Sequence, residues 1–382
     1  MTTIRTAIFG TGFMGRVHLE AARRTEGVEV GAIVGRNADA ARRLAAGFSV
    51  PSVETDYRKV LHDSSIDAVH ICTPNAQHFS MAKDALQAGK HVLCEKPLTA
   101  SAAEADQLVA LAEQKGLRNC VCHNLRYYPM TQQMRRLRET GYLGEILVVQ
   151  GTYSQDWLLY DTDWNWRVDL KDSGPSRCMA DIGSHWFDLA EHITGLRVTS
   201  VSADLQTFHA TRKKPRHAVE TFANKLTGPE DYVETPVETE DFGAVVFRMG
   251  TRTRGCMSAS QVSAGRKNSF RMEIYGSKAS AAWDQERPDE LWVGHRDTGN
   301  EVFVKDPSLL LPGARSYADL PGGHSEGYDD TFKQVFRRFY GSIVSGAAPE
   351  YPQFTDGLRQ LKILDAVLES HRTRKWVDVS GM

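Results

Sequence analysis

Tryptophan is missing from the first 150 residues of this 382-residue chain. All seven tryptophans follow, and four of them lie in one short stretch, at Trp157, Trp164, Trp166 and Trp186. At roughly 100–200 residues per domain, the length predicts two or three domains and a large buried core. The uneven tryptophan content predicts two parts with different functions.

An excess of one charge and long apolar runs are also missing. Lysine and arginine total 46 against 48 acidic residues, for a formal net charge of -2. A nucleic-acid-binding protein usually carries a basic excess, so that class is not expected. No apolar run approaches the roughly 18 residues of a transmembrane helix. Residues 1–6 lead straight into an apolar segment, without the regions of a secretory leader, so we expect neither a membrane span nor a signal peptide.

Cysteine is not frequent, and the spacing of the cysteines argues against a zinc-binding protein. The chain has six cysteines, and none stands in the paired Cys/His spacing of a zinc site. Cys72 and Cys94 lie in apolar, strand-like runs, and Cys120 and Cys122 share one face of a predicted strand. Buried free thiols of this kind are common, and they indicate a reducing, cytoplasmic location and no metal site.

The first apolar segment ends in a glycine motif, GTGFMG. The pattern predicts a strand, the motif, a helix and a second strand, at residues 4–9, 10–15, 16–25 and 28–34. Between a strand and a helix, such a motif indicates dinucleotide binding, with the phosphates at the helix N-terminus. Gly10 permits the tight turn, Gly12 lets the backbone approach a pyrophosphate, and Gly15 lets the helix pack closely. The predicted cofactor-binding loop comprises Gly10, Thr11, Gly12, Phe13, Met14 and Gly15.

Strands and helices continue to alternate up to residue 123. Further strands are predicted at 66–73, 91–94 and 119–123, and further helices at 78–88 and 101–115. This alternation predicts a parallel, doubly wound α/β sheet in a first domain of residues 1–123. Ligands of such sheets bind at the carboxyl ends of the strands. The side chains predicted to reach the cofactor there are Thr73, Asn75, His78, Glu95 and Lys96.

The end of the second strand bears on the choice of cofactor. An acid at this point would hydrogen-bond the ribose hydroxyl of NAD, whereas an arginine would accommodate the 2′-phosphate of NADP. The sequence is Gly35-Arg36-Asn37, with no acid before Asp39. Arg36 therefore favours NADP(H). NAD(H) stays open, because an arginine can also stack on adenine, and a solvated loop arginine is an equally good interpretation.

Residues 124–382 are predicted to form a second α/β domain. Runs that alternate like strands, separated by glycine-rich or polar turns, indicate a mostly antiparallel sheet. The predicted strands are residues 145–153, 198–205, 242–248, 253–260, 270–275, 279–283, 291–293 and 301–304. A polar, charged excursion at 207–240 is expected to lie on the surface. Two amphipathic helices, at 327–344 and 354–371, precede a strand at 375–379, and this closing part can pack here or back on the first domain.

An aromatic and acidic segment follows the first strand of this second domain. Apolar ring faces beside polar groups suit a sugar, whose C–H faces are apolar and whose hydroxyls need partners. We interpret Trp157, Trp164 and Trp166 together as a substrate wall, although any one alone is better explained as core. Arg167 is assigned to the cofactor, and Asn165 is a further candidate. The remaining substrate candidates are Arg126, Tyr127, Tyr128 and His324, and the arginines could equally recognise an anionic sugar.

A family resemblance rests on five segments: GTGFMG at 10–15, ICTPNAQH at 71–78, CEKPL at 94–98, HNLRYYP at 123–129 and ADIGSHWFDL at 180–189. In this order and spacing the whole chain resembles the Gfo/Idh/MocA family of sugar and cyclitol oxidoreductases. The resemblance implies an N-terminal Rossmann domain and a nicotinamide at the domain cleft. It also implies a C-terminal α/β domain whose large sheet often forms the interface of a homodimer or homotetramer.

The same resemblance implies the catalytic residues. Lys96 of EKP and His185 of DxGxH are the implied acid–base groups, with Asp181 as the aspartate of the motif. Lys96, Asp181 and His185 are thereby also substrate contacts. Residues 174–177, Gly-Pro-Ser-Arg, depart from the usual run of glycines, which leaves the neighbouring substrate contacts open.

The chemistry of these side chains agrees with that role. Hydride transfer from a secondary alcohol needs a nicotinamide, a base for the hydroxyl proton and a positive group for the developing oxyanion. Asp181 and His185 are four residues apart, so on a helix the carboxylate can orient the imidazole. A partly desolvated Lys96 can donate to or polarise the alcohol oxygen. Taken singly, Lys96 is better explained as a solvated loop lysine and His185 as a core histidine, but their combination with the glycine motif favours catalysis.

The sequence therefore predicts an NAD(P)-dependent oxidoreductase acting on a secondary hydroxyl of a sugar, glycoside or cyclitol. One alternative is a glycoside hydrolase that uses a tightly held nicotinamide for transient oxidation, elimination, hydration and reduction, outside the two-carboxylate rule. Its substrate could be an anionic glycoside. The other alternative is a non-catalytic nucleotide sensor, which the presence of both Lys96 and His185 disfavours.

Overall fold

The computed structural model describes residues 3–216 and 232–379. The chain divides into two compact units. The first comprises Met1–Asn124, Lys171–Gly174 and Asp329–Leu361. The second comprises Leu125–Leu170, Pro175–Tyr328 and Lys362–Met382.

The first unit is built on a six-stranded parallel sheet. Its strands are β1 (Ile4–Phe9), β2 (Val28–Val34), β3 (Ser52–Glu54), β4 (Ala68–Ile71), β5 (His91–Cys94) and β6 (Asn119–Val121). Their spatial order is β3-β2-β1-β4-β5-β6, so the winding reverses between β1 and β4. β4 is buried along its whole length, as expected for a strand covered on both faces. The predicted doubly wound Rossmann sheet is confirmed.

The helices of this unit begin where side chains can cap them. They are α1 (Phe13–Arg23), α2 (Ala38–Phe48), α3 (Tyr57–Leu61), α4 (His78–Gln87), α5 (Ala102–Lys115), α9 (Tyr328–Ser345) and the first part of α10 (Phe354–Thr373). Asn37 caps α2, Asp56 caps α3 and Ser101 caps α5 through side-chain oxygens that accept backbone N–H groups. The sequence-based prediction omits β3 and α3, which have only three and five residues, and α2, whose buried positions are the alanines Ala41 and Ala45.

The second unit contains a nine-stranded sheet. Its strands are β7 (Ile146–Ser154), β8 (Val198–Gln206), β11 (Phe242–Met249), β12 (Thr253–Ser260), β13 (Ser269–Gly276), β14 (Ser280–Asp284), β15 (Glu290–Gly294), β16 (Glu301–Val304) and β17 (Val377–Asp378). Their order is β16-β15-β14-β13-β7-β12-β11-β8-β17. Every pair is antiparallel except β7 with β12, which is parallel. The predicted, mostly antiparallel sheet is confirmed, and the closing strand β17 belongs to it.

The two faces of this sheet differ in composition. One face is covered by α6 (Pro129–Glu139) and α8 (Ser184–Thr194), and its side chains, such as Phe247 and Phe270, are fully buried. The opposite face, called here the outer face, alternates with it along each strand and carries Val148 and Val246, both exposed.

A π-helical turn, Met179–Gly183, leads into α8, and α7 (Leu170–Ser173) is a single turn.

The charged excursion predicted at 207–240 is only partly a surface feature. Its ends pair as a two-stranded ribbon of β9 (Thr211–Pro215) and β10 (Tyr232–Pro236), while residues 217–231 lie outside the described part of the chain. Arg212 and Glu240 are buried, which corrects the prediction, because Arg212 forms an ion pair with Asp241 inside the unit.

Among the described residues, none of the helices is long and apolar enough to cross a membrane.

Candidate active site

The glycine loop after β1 has the geometry that its three glycines predict. Gly10 has a φ of 120°, and a Cβ on it would lie 2.5 Å from the Cys72 carbonyl oxygen. A Cβ on Gly15 would lie 2.1 Å from the Gly10 carbonyl oxygen, so both positions need glycine for close packing. A Cβ on Gly12 would meet nothing within 4 Å, which leaves open space in front of the loop. The N-cap residue of α1 is Gly12, which has no side chain to cap the helix, in contrast to the N-cap residues of α2, α3 and α5. A glycine at a helix N-terminus allows close approach of a pyrophosphate.

Arg36 follows β2 on the same edge of the sheet and is exposed. Its neighbour Asn37 is occupied as the cap of α2, since its Oδ1 accepts the backbone N–H groups of Asp39 and Ala40. The first acid after β2, Asp39, forms an ion pair with Arg42. The position after β2 therefore presents a guanidinium and no carboxylate.

The carboxyl end of β4 contributes polar side chains with internal roles. The Asn75 amide donates to the Ser173 carbonyl oxygen at 2.9 Å. His78 is buried, and its two ring nitrogens lie 2.9 Å from the carbonyl oxygens of Thr73 and Pro97. Burial lowers the pKa of His78, although both carbonyl contacts act in the opposite direction. Its ring connects the turn after β4 with the turn after β5, which is the turn that bears Lys96.

Lys96 is the second residue after β5, at the same sheet edge as the glycine loop. It is half-buried, and its peptide bond to Pro97 is cis. Its backbone N–H donates to Glu95 Oε2 at 3.2 Å. Glu95 is buried, and its other oxygen lies 2.8 Å from His18 Nε2. The structure thus brings the glycine loop, Arg36, Thr73, Asn75, Glu95 and Lys96 to one edge of the parallel sheet, as the sequence predicts.

In the second unit, Asp181 lies in the π-helical turn and His185 in the first turn of α8. The Asp181 carboxylate accepts from Arg167 Nε at 3.2 Å and from Gln261 Nε2 at 3.0 Å. His185 is 8% exposed, and its ring lies 6.5 Å from the ring of Tyr153. The sequence predicts an ordinary helix here, but the turn is a π-bulge, a distortion that often marks functional sites.

A buried carboxylate that the sequence analysis missed holds the π-helical turn. Glu240 Oε1 accepts from the backbone N–H of Met179 at 2.9 Å and of Arg177 at 3.1 Å, and from Ser176 Oγ at 2.6 Å. These donors lie at the start of the turn, where backbone N–H groups lack intrahelical partners. The Gly-Pro-Ser-Arg sequence that departs from the family pattern supplies two of the three donors.

A second buried acid extends this arrangement to Asp181. Asp241 pairs with both Arg177 and Arg212, and all three side chains are fully buried. Arg177 Nη1 also donates to Gln261 Oε1 at 3.4 Å, and Gln261 in turn donates to Asp181. The partners lie up to 84 residues apart in sequence, so no local pattern could have indicated them.

Replacing Asp241 with asparagine should lower the free energy of unfolding by about 3 kcal/mol at neutral pH, because two buried guanidinium groups lose their counter-charge. Burial raises the pKa of Asp241, but Arg177 and Arg212 outweigh it, and the net pKa is lowered. The stabilisation is therefore present above the unfolded pKa of about 3.9 and is lost as the pH falls through the lower, folded pKa. In urea unfolding, the difference in the free energy of unfolding between wild type and Asp241→Asn should be the same at pH 7 and pH 5. It should be smaller below about pH 4.

The matched control for this prediction is Asp204→Asn, since the Asp204 side chain is 90% exposed. It should change the free energy of unfolding by less than about 0.5 kcal/mol. Equal effects of the two substitutions would contradict the role assigned to Asp241.

The aromatic segment is more internal than a substrate wall would be. Trp164 is 9% exposed and forms a small hydrophobic cluster with Leu158, Val168 and Val237, against which Trp157 packs. The Arg167 guanidinium lies over the Trp166 ring, 4.4 Å from its centre. Trp186 is fully buried in the main core. Trp164 therefore follows the alternative interpretation as core, whereas Trp157 and Trp166 are partly exposed.

The remaining substrate candidates all belong to the second unit. Arg126 forms a bidentate ion pair with Asp188. Tyr127 and Tyr128 are buried, and their rings pack on Tyr317 and Trp283 respectively. His324 is exposed in the loop before α9, and its carbonyl oxygen accepts from Lys305 Nζ at 2.6 Å. The substrate roles of these four residues stay predictions.

Both parts of the chain match described protein families. Residues 4–123 match the oxidoreductase family with an NAD-binding Rossmann fold. Residues 131–282 match the GFO/IDH/MocA C-terminal domain.

Similar proteins include several sugar dehydrogenases. Levoglucosan dehydrogenase from Pseudarthrobacter phenanthrenivorans is 28% identical over 398 residues, which cover 99% of both chains. D-xylose dehydrogenase from Paenarthrobacter nicotinovorans is 31% identical over 356 residues, which cover 91% of this chain and 86% of its own. A solved structure of levoglucosan dehydrogenase in complex with NADH and levoglucosan superposes with a TM-score of 0.89 at 27% identity, over 99% of this chain and 100% of its own.

The glycine loop, the EKP turn and the DxGxH turn thus occur in a chain whose two parts match the two domains of one family. The chain belongs to the Gfo/Idh/MocA oxidoreductases, and its N-terminal domain is an NAD-binding Rossmann fold.

Proposed function

We propose that this protein is a dehydrogenase that transfers a hydride between a nicotinamide cofactor and a secondary hydroxyl of a sugar, with Lys96 and His185 as its acid–base groups. The observation that carries the proposal is the position of Lys96. It follows β5 at the sheet edge that also bears the open Gly12 loop, which leads into the N-terminus of α1. A cofactor whose pyrophosphate binds at α1 has its reactive end along this edge, where a lysine can contact the substrate.

The proposed roles follow from the chemistry of the two side chains. When bound, the nicotinamide accepts or returns the hydride. His185 removes the hydroxyl proton as the carbonyl forms, and returns it in the reverse direction. The Lys96 ammonium stabilises the negative charge that develops on the substrate oxygen. Asp181, fixed by Arg167 and Gln261, holds the π-helical turn that precedes His185.

The substrate class is proposed from the relatives and from the polar character of the second unit. The similar proteins are named for levoglucosan and D-xylose, which are both carbohydrates. Around Asp181 the second unit offers an arginine, a glutamine and the partly exposed Trp166, a combination of polar groups and ring surface that suits a hydroxylated ligand.

A substrate panel tests the proposal against the hydrolytic alternative. The purified protein is incubated with NAD+ or NADP+ and with levoglucosan, D-xylose, other free sugars and aryl glycosides. A dehydrogenase forms one reduced cofactor for each carbonyl product. Aglycone release with a trace of cofactor and no net reduction would instead indicate the glycosidase, and tight cofactor binding without turnover would indicate a sensor.

Arg36 carries a separate proposal on cofactor choice: its exposed guanidinium binds the 2′-phosphate of NADP. Arg36→Ala should then lower kcat/KM with NADP+ by about 10- to 100-fold, because a charge-assisted hydrogen bond is lost. The value with NAD+ should stay within about threefold. Arg42→Ala, which removes an exposed arginine of α2, is the control and should affect neither cofactor. An Arg36→Ala enzyme with unchanged kcat/KM for NADP+ would assign the arginine to solvent.

We also propose that the outer face of the nine-stranded sheet binds a second copy of the chain. It combines exposed Val148 and Val246 with a depression of about 230 Å³ between β13 and β16 that includes Trp292. The lining of this depression contains two arginines and three acids, so a symmetric partner can match its charges.

Val246→Glu should convert the protein to a monomer in sedimentation velocity, because a charge would enter the apolar part of the interface. Leu309→Glu replaces a residue that is 67% exposed on a loop and should leave the oligomeric state unchanged. A wild-type protein that sediments as a monomer would refute this interface.

A further inference from the structure

A buried hydrogen-bond chain crosses the first unit and ends at the residue before Lys96. His18 Nδ1 lies 2.9 Å from His70 Nδ1, and His18 Nε2 lies 2.8 Å from Glu95 Oε1. At the far end, His70 Nε2 pairs with the Tyr340 hydroxyl. We call Tyr340, His70, His18 and Glu95 the His18 chain. It joins α9, β4, α1 and the turn after β5, and both histidines are fully buried.

Aromatic rings enclose the two imidazoles. The His18 and His70 rings meet edge to face at 5.1 Å, and Phe336 of α9 packs edge to face on both of them, at 5.1 and 4.7 Å. Phe332, one turn earlier, lies 5.6 Å from His18. In such close packing neither imidazole can rotate without displacing its neighbours, so the His18 chain has one fixed geometry.

The Glu95 carboxylate is the charged end of the chain. It accepts from His18 Nε2–H, from the Lys96 backbone N–H and from the Cys122 thiol. Burial raises the pKa of Glu95, but the hydrogen bond from His18 and the nearby positive charges outweigh it, and the pKa is lowered. Burial raises the pKa of the Cys122 thiol, which therefore keeps its proton. Glu95 is thus a fixed negative charge beside Lys96.

His18 donates to Glu95 in either protonation state of the chain. Burial holds the pKa of His70 well below its usual range, so His70 is neutral. With neutral His18, Tyr340 donates to His70 Nε2, His70 Nδ1–H donates to His18 Nδ1, and His18 Nε2–H donates to Glu95. With protonated His18, the hydrogen bond between Tyr340 and His70 and the one between His70 and His18 reverse their direction. The bond to the ionised carboxylate keeps its direction, because that carboxylate can only accept.

We propose that His18 is a positioning residue for Lys96, acting through Glu95. The imidazole fixes the carboxylate, and the carboxylate fixes the Lys96 backbone by one hydrogen bond and its ammonium by charge. This inference rests on the proposed catalytic role of Lys96. It also gives α1 a second role, because the helix that follows the glycine loop would then hold the turn that bears Lys96 as well.

Two amide substitutions test the two ring nitrogens of His18 separately. In His18→Gln the amide N–H reaches the position of Nε2 and keeps the donor to Glu95. In His18→Asn the amide lies at the position of Nδ1, which keeps a partner for His70 and removes the donor to Glu95. Tyr340→Phe is the control, because it removes the hydroxyl that pairs with His70 at the far end of the His18 chain.

Each variant is assayed with the substrate on which the wild type is most active, for kcat, KM and the Kd of the cofactor. His18→Asn should lower kcat by about 10- to 100-fold, because a buried carboxylate loses a charge-assisted bond. His18→Gln should stay within about threefold of wild type. KM and the cofactor Kd should change by less than about threefold in both. Tyr340→Phe should lower Tm but leave kcat within about threefold.

Three results would overturn the inference. They are a wild-type kcat in His18→Asn, equal losses in His18→Asn and His18→Gln, and a loss in Tyr340→Phe as large as in His18→Asn. The last two would indicate general destabilisation. Lys96→Met is assayed in parallel: if it keeps full activity, the proposed function of Lys96 fails, whereas an inactive Lys96→Met beside a fully active His18→Asn refutes only the role of His18.

Discussion

Replacing Lys96 with methionine should lower kcat by about 10⁴-fold while the protein still folds and binds its cofactor. Methionine matches the apolar stem of lysine but lacks the terminal ammonium that would stabilise the charge on the substrate oxygen. Lys96 is half-buried in a turn that Glu95 and His78 hold by other contacts, so the turn itself should persist. Steady-state kinetics gives kcat, and fluorescence titration gives the cofactor Kd, which should change by less than about threefold.

Lys115→Met is the matched control, since it removes a lysine from the last turn of α5, away from the carboxyl ends of the strands. It should have wild-type kinetics. Full activity in Lys96→Met would remove this residue from the mechanism. A loss of cofactor binding equal to the loss of kcat would instead assign it to binding.

Replacing His185 with alanine should lower kcat by about 10³-fold, because the group that takes the hydroxyl proton is lost. His185 lies in the first turn of α8, and the preceding turn is held by Glu240 and by the contacts of Asp181. The fold should therefore survive, which circular dichroism and the melting temperature can verify. The loss should appear in kcat and in kcat/KM alike, as expected for an interaction made only in the transition state.

The control for His185 is His295→Ala, which removes a histidine from the end of β15 that pairs with Glu301. It should leave kcat within about threefold. A His185→Ala enzyme that lost only substrate affinity, with an unchanged kcat, would assign His185 to binding rather than to proton transfer.

Much of the first unit could be predicted because its signals are local. The strand before Gly10, the glycine spacing and the strands after it are contained within about 30 residues, the length of one βαβ unit. The space around each glycine then agrees with the role its position predicts, close packing at Gly10 and Gly15 and open space at Gly12. The motif residues Lys96, Asp181 and His185 are predicted because the family spacing marks them, and their roles stay proposals.

The parts that escaped prediction depend on contacts distant in sequence. Glu240 holds a turn about 61 residues away, and His18 reaches Glu95 across 77 residues. The parallel pairing of β7 with β12 places the first strand of the second unit in the middle of its sheet, which alternation along a single strand cannot reveal. The charged segment around Arg212 predicts a surface position, but the Arg212 side chain is fully buried in an ion pair with Asp241.

The transfer of deuterium from substrate to cofactor tests the central claim most directly. Sugars with deuterium at every carbon are incubated with the protein and oxidised nicotinamide cofactor, and the reduced cofactor is isolated and weighed by mass spectrometry. Direct hydride transfer predicts one deuterium atom in each reduced nicotinamide and one carbonyl group in each product molecule. Reduced cofactor without deuterium, or product formed with no accumulation of reduced cofactor, would contradict the proposal that the protein is a sugar dehydrogenase.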